Sequence, residues 1–273
     1  MPHLTANGCR LYYTDQGQGE PVVLIHGLGS SSRDWENQTD VLLERYRVVS
    51  IDMRGHGLSD KPRGAYSIKG FADDVVCLLE MLKVQRPHII GISMGGMIAF
   101  QLATDHPDVP ASLTIINSAP EVRPRRPGEF AKVAQRLILA HALPLSVTAR
   151  GLARVLFPKP EQQELRETFE QRWCENDRKA YLASLRAIIG WSVVERLDRI
   201  CCPVLVISGD NDYMPVERKR EYVSRLGDAR LEVIADSRHA TPVDQPEHCN
   251  RLILDFLRQS ESARQPQQET TGV

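Results

Sequence analysis

Six short runs rich in Val, Ile and Leu, at residues 21–25, 46–51, 88–92, 113–117, 203–207 and 231–234, show little alternation between apolar and polar positions. A strand with one wet face alternates with period two, so runs of this kind imply strands covered on both faces. Between them lie stretches with helical spacing, at 68–82, 94–106, 216–226 and 246–258. Such a chain has few ways to bury its apolar surface. The pattern predicts an α/β protein with a mostly parallel, doubly wound sheet and helices on both faces. Ahead of the first buried run, Asn7-Gly8 reads as the turn of a hairpin whose second strand covers residues 9–13.

One interval breaks the alternation. Residues 120–195 offer helical periodicity and no convincing strand, punctuated by Pro124, Pro127, Pro144, Pro158 and Pro160. The chain therefore divides into a core over 1–119 and 196–260 and a helical insertion over 120–195, and the polar, Gln-rich tail at 261–273 is expected to be disordered. The insertion holds 13 basic and nine acidic side chains, or +4, in a chain whose formal net charge is -1. A solvated helical surface is the simplest account of that excess. The near-neutral balance gives no reason to expect nucleic acid or an anionic membrane as partner. No apolar run approaches the ~20 residues needed to span a bilayer. The first residues show no basic stretch followed by an apolar one. Six cysteines lie outside any metal-binding or redox spacing and read as small hydrophobes of a reducing compartment. The expectation is a cytoplasmic protein that needs no metal or cofactor and acts on a small molecule, with its oligomeric state open.

Three short segments carry residues suited to chemistry. Gly91-Ile92-Ser93-Met94-Gly95-Gly96 stands where the run at 88–92 meets the helical stretch after it. A serine on a tight strand-to-helix turn projects its hydroxyl above the sheet, and the flanking glycines avoid clashes with neighbouring backbone. Ile25-His26-Gly27-Leu28-Gly29 ends an earlier run and could present a backbone N–H to an oxyanion, paired with the N–H of Met94. A plain glycine turn and a dinucleotide-binding turn are its rivals, the latter missing its third glycine at Ser32. Ser208-Gly209-Asp210-Asn211-Asp212 follows the run at 203–207 and reads as turn residues or as a buried acid orienting a histidine. The matching histidine is His239, on a loop past the run at 231–234. His26 and His56 read as structural.

Together these segments resemble the α/β-hydrolase superfamily, in the branch with a helical cap inserted after the sixth strand. The likeness is carried in order by His26-Gly27, Asp52-x-Arg54-Gly55-His56-Gly57-x-Ser59, Gly91-x-Ser93-x-Gly95-Gly96, Gly209-x-x-Asp212 and His239. It implies an α/β-hydrolase fold with Ser93 as nucleophile, His239 as general base and acid, and Asp212 orienting the imidazole. Leu28 and Met94 would supply oxyanion N–H groups, with Asp210 as the alternative acid. The implied activity is hydrolysis of an ester, lactone or thioester through an acyl-enzyme. Relatives with the same three residues also act as C–C hydrolases, lyases or perhydrolases. A ligand sensor with slow residual hydrolysis is a further alternative. Within the insertion, Trp173 and Trp191 are the first side chains to consider for the pocket.

Overall fold

The structure, a computed structural model, describes residues 2–264. An Asn7-Gly8 turn, with both residues at positive φ (47° and 72°), joins β1 (His3–Ala6) to β2 (Cys9–Gln16). The second strand runs three residues past the expected one because Tyr13–Gln16 pair antiparallel with β4 (Arg47–Ile51), carrying the hairpin into the main sheet. The remaining strands are β3 (Pro21–Ile25), β5 (His88–Ile92), β6 (Ser112–Ile116), β7 (Val204–Gly209) and β8 (Ala229–Ile234). They form one eight-stranded sheet in the order β1-β2-β4-β3-β5-β6-β7-β8, parallel from β4 onward. The last strand starts two residues before the expected one, at Ala229, because it is an edge on which Arg230 and Glu232 stay partly exposed.

Both faces are covered. Val23, Ile25, Val49, Ile89 and Ile115 join a core with Phe71, Val75 and Leu78 of α2 (Ile68–Met81) and Ile98, Phe100 and Leu102 of α3 (Met94–Asp105). Val22, Leu24, Val48, Ile90 and Leu205 face the other way. They meet Leu42 of α1 (Glu36–Leu42) and Cys249, Ile253, Phe256 and Leu257 of α10 (Pro246–Ser262). Period-two alternation therefore exists in these strands, but each face meets apolar partners, so the sequence reads as continuous. The final helix passes the expected boundary at 260. Ser260 and Glu261 are buried, and Arg45 bonds Glu261 at 2.6 Å. The rest of the expected tail, 265–273, lies outside the described residues.

Between β6 and β7 come α4 (Pro127–Ala142), α5 (Leu145–Leu156), α6 (Gln163–Cys174) and α7 (Arg178–Ile188). The two ends of this segment are laced together: Val193 N–H donates to Pro120 O, Val122 N–H to Trp191 O and Gly190 N–H to Val122 O, each at 2.9 Å. Helix α6 docks on the loop after β3. Arg172 reaches Asp34 and Glu36 at 3.3 and 3.0 Å, Arg33 pairs with Glu175, and Asn176 Nδ2 donates to Gly29 O at 2.8 Å. The remaining helices are α8 (Val216–Val223) and the single turn α9 (Thr241–Asp244). No helix among the described residues is long and apolar enough to cross a membrane.

Two glycine-to-alanine changes should act in opposite directions. A Cβ on Gly95 would sit 2.0 Å from Ile25 O and 2.8 Å from His26 O, backbone atoms that must move. Gly151, inside α5, has nothing within 4 Å of its Cβ position. Urea unfolding should show Gly95→Ala losing about 3 kcal/mol and Gly151→Ala gaining about 0.5–1 kcal/mol from reduced chain entropy.

Candidate active site

Ser93 ends β5 and caps α3 with φ 54° and ψ −116°, a conformation that costs a non-glycine residue of order 1–3 kcal/mol. Three contacts hold it there. Its N–H donates to Ile116 O at 2.9 Å, Ser118 Oγ donates to its carbonyl at 2.6 Å, and Met97 N–H bonds the same carbonyl at 3.1 Å. Gly91 and Gly95 allow the turn to close, since a Cβ on Gly91 would lie 2.4 Å from Gly95 backbone. The hydroxyl is thus lifted above the strand ends at the start of a helix whose residues from Met94 to Thr104 are all buried. The Met94 N–H belongs to the first helical turn, which has no intrahelical acceptor. Leu28 N–H donates to no acceptor among the described residues, and a Cβ on its neighbour Gly27 would lie 3.5 Å from Ser93 Cβ. Neither of the two amides expected at an oxyanion site thus has a competing acceptor among the described residues.

Asp212 and His239 meet. His239 Nδ1 lies 2.5 Å from Asp212 Oδ1, and the carboxylate is almost completely buried. Asp210, two residues earlier, turns away and accepts from Ser237 N–H at 3.0 Å and Asn211 Nδ2 at 2.8 Å. Tyr213 stacks on the imidazole with ring centroids 4.3 Å apart. No hydrogen bond joins Ser93 Oγ to His239 among the described residues. Burial by itself would raise the Asp212 pKa. The His239 hydrogen bond, followed by the charges of His239 and Lys219, overrides it and holds the carboxyl at about 2.

Asn117, at the end of β6 and at φ 45°, links the pieces. Its Nδ2 donates to Arg238 O, His239 O and Thr241 Oγ1 at 3.0, 2.9 and 2.7 Å, while its Oδ1 accepts from Gly209 N–H at 2.9 Å. The loop carrying the histidine and the strand leading to the acid are thus tied to one amide. Sequence reasoning missed Asn117, Ser118 and Lys219. Asn117 and Ser118 end a buried run where turn residues are expected. Lys219 stands in Glu217-Arg218-Lys219-Arg220-Glu221, which reads as a wet helix face. It is nonetheless fully buried, with Nζ 2.5 Å from Asp212 Oδ2. Burial lowers its pKa, against the opposing pull of Asp212.

The two histidines read as structural, His26 and His56, are both fully buried. His26 Nδ1 bonds Gly27 O at 2.7 Å and its Nε2 accepts from Met53 N–H at 3.0 Å, which fixes a neutral tautomer holding the loop after β3. Burial, aided by His26 nearby, pulls the His56 pKa to about 3. Of the two tryptophans in 120–195, Trp173 lies on the loop after β3, where a Cβ on Gly29 would meet its ring at 2.5 Å. Trp191 instead donates to Gln101 Oε1 on α3 at 2.7 Å. A cavity of about 530 Å³ opens beside that loop, lined by Tyr12, Gly29, Ser50, Phe169, Trp173 and Asn176, and neither Ser93 nor His239 lines it.

A serine on a strained strand-to-helix turn of a mostly parallel sheet, with a carboxylate and a histidine on the loops after β7 and β8, is an arrangement shared with a known fold class. Residues 20–246 match the family described as the alpha/beta hydrolase fold, and the chain belongs to it. It is 28% identical over 256 residues to 3-oxoadipate enol-lactonase 2 of Acinetobacter baylyi, spanning 92% of this chain and 94% of that one. It is also similar to a putative carbamate hydrolase of Variovorax paradoxus, at 31% identity over 262 residues, covering 90% of this chain and 96% of the relative. Among solved structures, an esterase from Exiguobacterium antarcticum superposes with a TM-score of 0.88 at 25% identity, over 94% of this chain and 98% of its own.

The acid–base pair also makes stability depend on pH. A carboxyl whose pKa is depressed on folding contributes stability that is fully present above its unfolded value and is lost as pH falls through its folded one. For Asp212 that window runs from about pH 4 down to about pH 2. Chemical denaturation at pH 7, 4 and 2.5 should show wild-type protein losing about 1–2 kcal/mol more between pH 7 and pH 2.5 than Asp212→Asn does. At pH 7 the variant should be the weaker protein, because it leaves the Lys219 ammonium without its counter-charge.

Proposed function

We propose that this chain is a cofactor-independent serine hydrolase that cleaves an ester-type bond of a small molecule, with Ser93 as nucleophile, His239 as base and Asp212 orienting it. The observation that carries this reading is the 2.5 Å carboxylate–imidazole contact on the loops after β7 and β8, beside a serine strained onto the first turn of α3. In the free enzyme such nucleophile–base bonds are often long and tighten once substrate is bound. His239 Nε2 then takes the Ser93 proton as Oγ adds to the acyl carbon. The N–H groups of Leu28 and Met94 donate to the oxyanion as it forms. Collapse of the tetrahedral adduct expels the alcohol, protonated by His239, and leaves an acyl-serine. Water, deprotonated by the same imidazole, adds to that acyl carbon, and a second collapse frees the acid and restores Ser93.

The names of the three relatives support the bond class, since enol-lactone, carbamate and ester all present an acyl carbon to a nucleophile. We read residues 120–195 as a cap over this site, with selectivity centred on α6, whose Trp173 touches the loop bearing Leu28. All six cysteines are free, which accords with a reducing cytoplasm as its compartment.

A fluorophosphonate probe should label Ser93 and no other serine, read by peptide mass spectrometry. Ser93→Ala should lose labelling and all but the residual turnover that oxyanion donors and binding provide, about 10³–10⁴-fold over water. Asp212→Asn should lower kcat by about 10⁴ through the wrong imidazole tautomer, and Asp210→Asn by far less. If Asp210→Asn is the more damaging change, the acid is misassigned.

A further inference from the structure

Lys219 is buried on a helix whose other charged side chains are exposed. Its Nζ lies 2.5 Å from Asp212 Oδ2, 2.6 Å from Ser208 Oγ and 3.3 Å from Asn117 Oδ1. Each of these atoms is an acceptor towards it. The Asp212 oxygen belongs to a carboxylate. The Ser208 hydroxyl gives its own hydrogen to Gly209 O at 2.8 Å. The Asn117 amide is oriented by its other partners, with Nδ2 donating to His239 O and Oδ1 accepting from Gly209 N–H. A neutral amine carries two N–H bonds. An ammonium, with three N–H bonds, matches these three acceptors one for one.

We propose that Lys219 is a positioning residue for the acid–base pair, holding Asp212 Oδ2 so that Oδ1 faces His239 and setting a second positive charge against the carboxylate that the imidazole shares. This rests on the reading of Asp212 and His239 given above. Imidazole and ammonium share one carboxylate, each 2.5 Å from its own oxygen. Protonating His239 therefore places a second positive charge against an anion already paired. Other charged and titratable groups also lie near the pair. Tyr213 covers the imidazole, with Arg136, Arg238 and Tyr181 among its own electrostatic neighbours. Tyr222, also on α8, donates to Ser118 O at 3.0 Å.

The test is the pH dependence of kcat/KM for a p-nitrophenyl ester with the full chain. Lys219→Gln keeps an N–H for Asp212 without the charge, and Lys219→Met keeps neither. Both should move the acid limb up by about one pH unit, the size expected when a like charge is removed close by. KM should change less than about twofold, and kcat at the plateau should fall at least tenfold further in Lys219→Met than in Lys219→Gln. A folded variant whose acid limb stays in place overturns the charge role, and equal plateau kcat in the two variants overturns the orienting role. If neither variant folds, ¹⁵N-lysine NMR on wild-type protein decides. The Lys219 Nζ signal must be that of an ammonium at the pH of maximal turnover, and its deprotonation at high pH must shift the His239 Nδ1–H resonance. A neutral amine at that pH, or a His239 resonance indifferent to the Lys219 titration, overturns the proposal. An active Ser93→Ala would sink the hydrolase reading while leaving this coupling measurable. A dead Ser93→Ala with an unmoved acid limb would sink only the role of Lys219.

Discussion

The turn between β5 and α3 comes so close to β3 that only glycine fits, and much of the molecule is arranged around that approach. A Cβ on Gly95 would meet Ile25 O, one on Gly91 would meet the Gly95 backbone, and one on Gly96 would meet Ser118 at 2.6 Å. Removing three side chains lets a helix start directly on the sheet, and the helix is then enclosed along its whole length. What remains at the apex is a residue at φ 54° that the surroundings over-determine. Such strain survives because leaving it would require breaking the bonds from Ile116 and Ser118 and opening the core around α3.

A second constraint acts across the strand ends. The carriers of the acid and the histidine are separate loops, each free in principle to drift, and the Asn117 amide spends both of its ends on stopping that drift. Its contacts to Arg238 O, His239 O and Gly209 N–H hold backbone, so that the side chains of Asp212 and His239 stay within reach of one another. Polar atoms in this region are connected to several partners each, and a buried network pays its desolvation cost only when its members are satisfied in this way.

Most of this architecture is legible in the sequence because it depends on patterns. Strands covered on both faces write themselves as unbroken apolar runs, and the Asn7-Gly8 turn and the Gly91–Gly96 segment follow from the few conformations available to them. The legible part of the site is the part with backbone demands. What was not legible is set by tertiary contact alone. The strand pairing that extends β2 to Gln16 depends on β4, thirty residues on. Helix α10 continues to Ser262 because Glu261 finds Arg45 across the molecule. Lys219 lies in a segment as charged as any exposed helix, and no local rule distinguishes the one lysine that turns inward. Likewise Trp173 and Trp191 look alike in sequence, yet one rests on the loop after β3 and the other on α3.

The laced ends of the segment between β6 and β7 have a consequence for how such a protein can diversify. Pro120 and Val193 are joined by a backbone hydrogen bond, so the chain leaves the sheet and returns to it at nearly the same point. The 72 or so residues in between form a loop on a stem, and lengthening a loop whose ends already touch costs little, about 0.6 kcal/mol per doubling. The parts that bring Asp212 to His239 all lie outside the stem, at 117–118 and beyond 204. A different helical insert spliced onto the same stem would leave the Asp212–His239 contact and the strand ends beneath it untouched, so that the sheet and the segment on its stem are separately heritable.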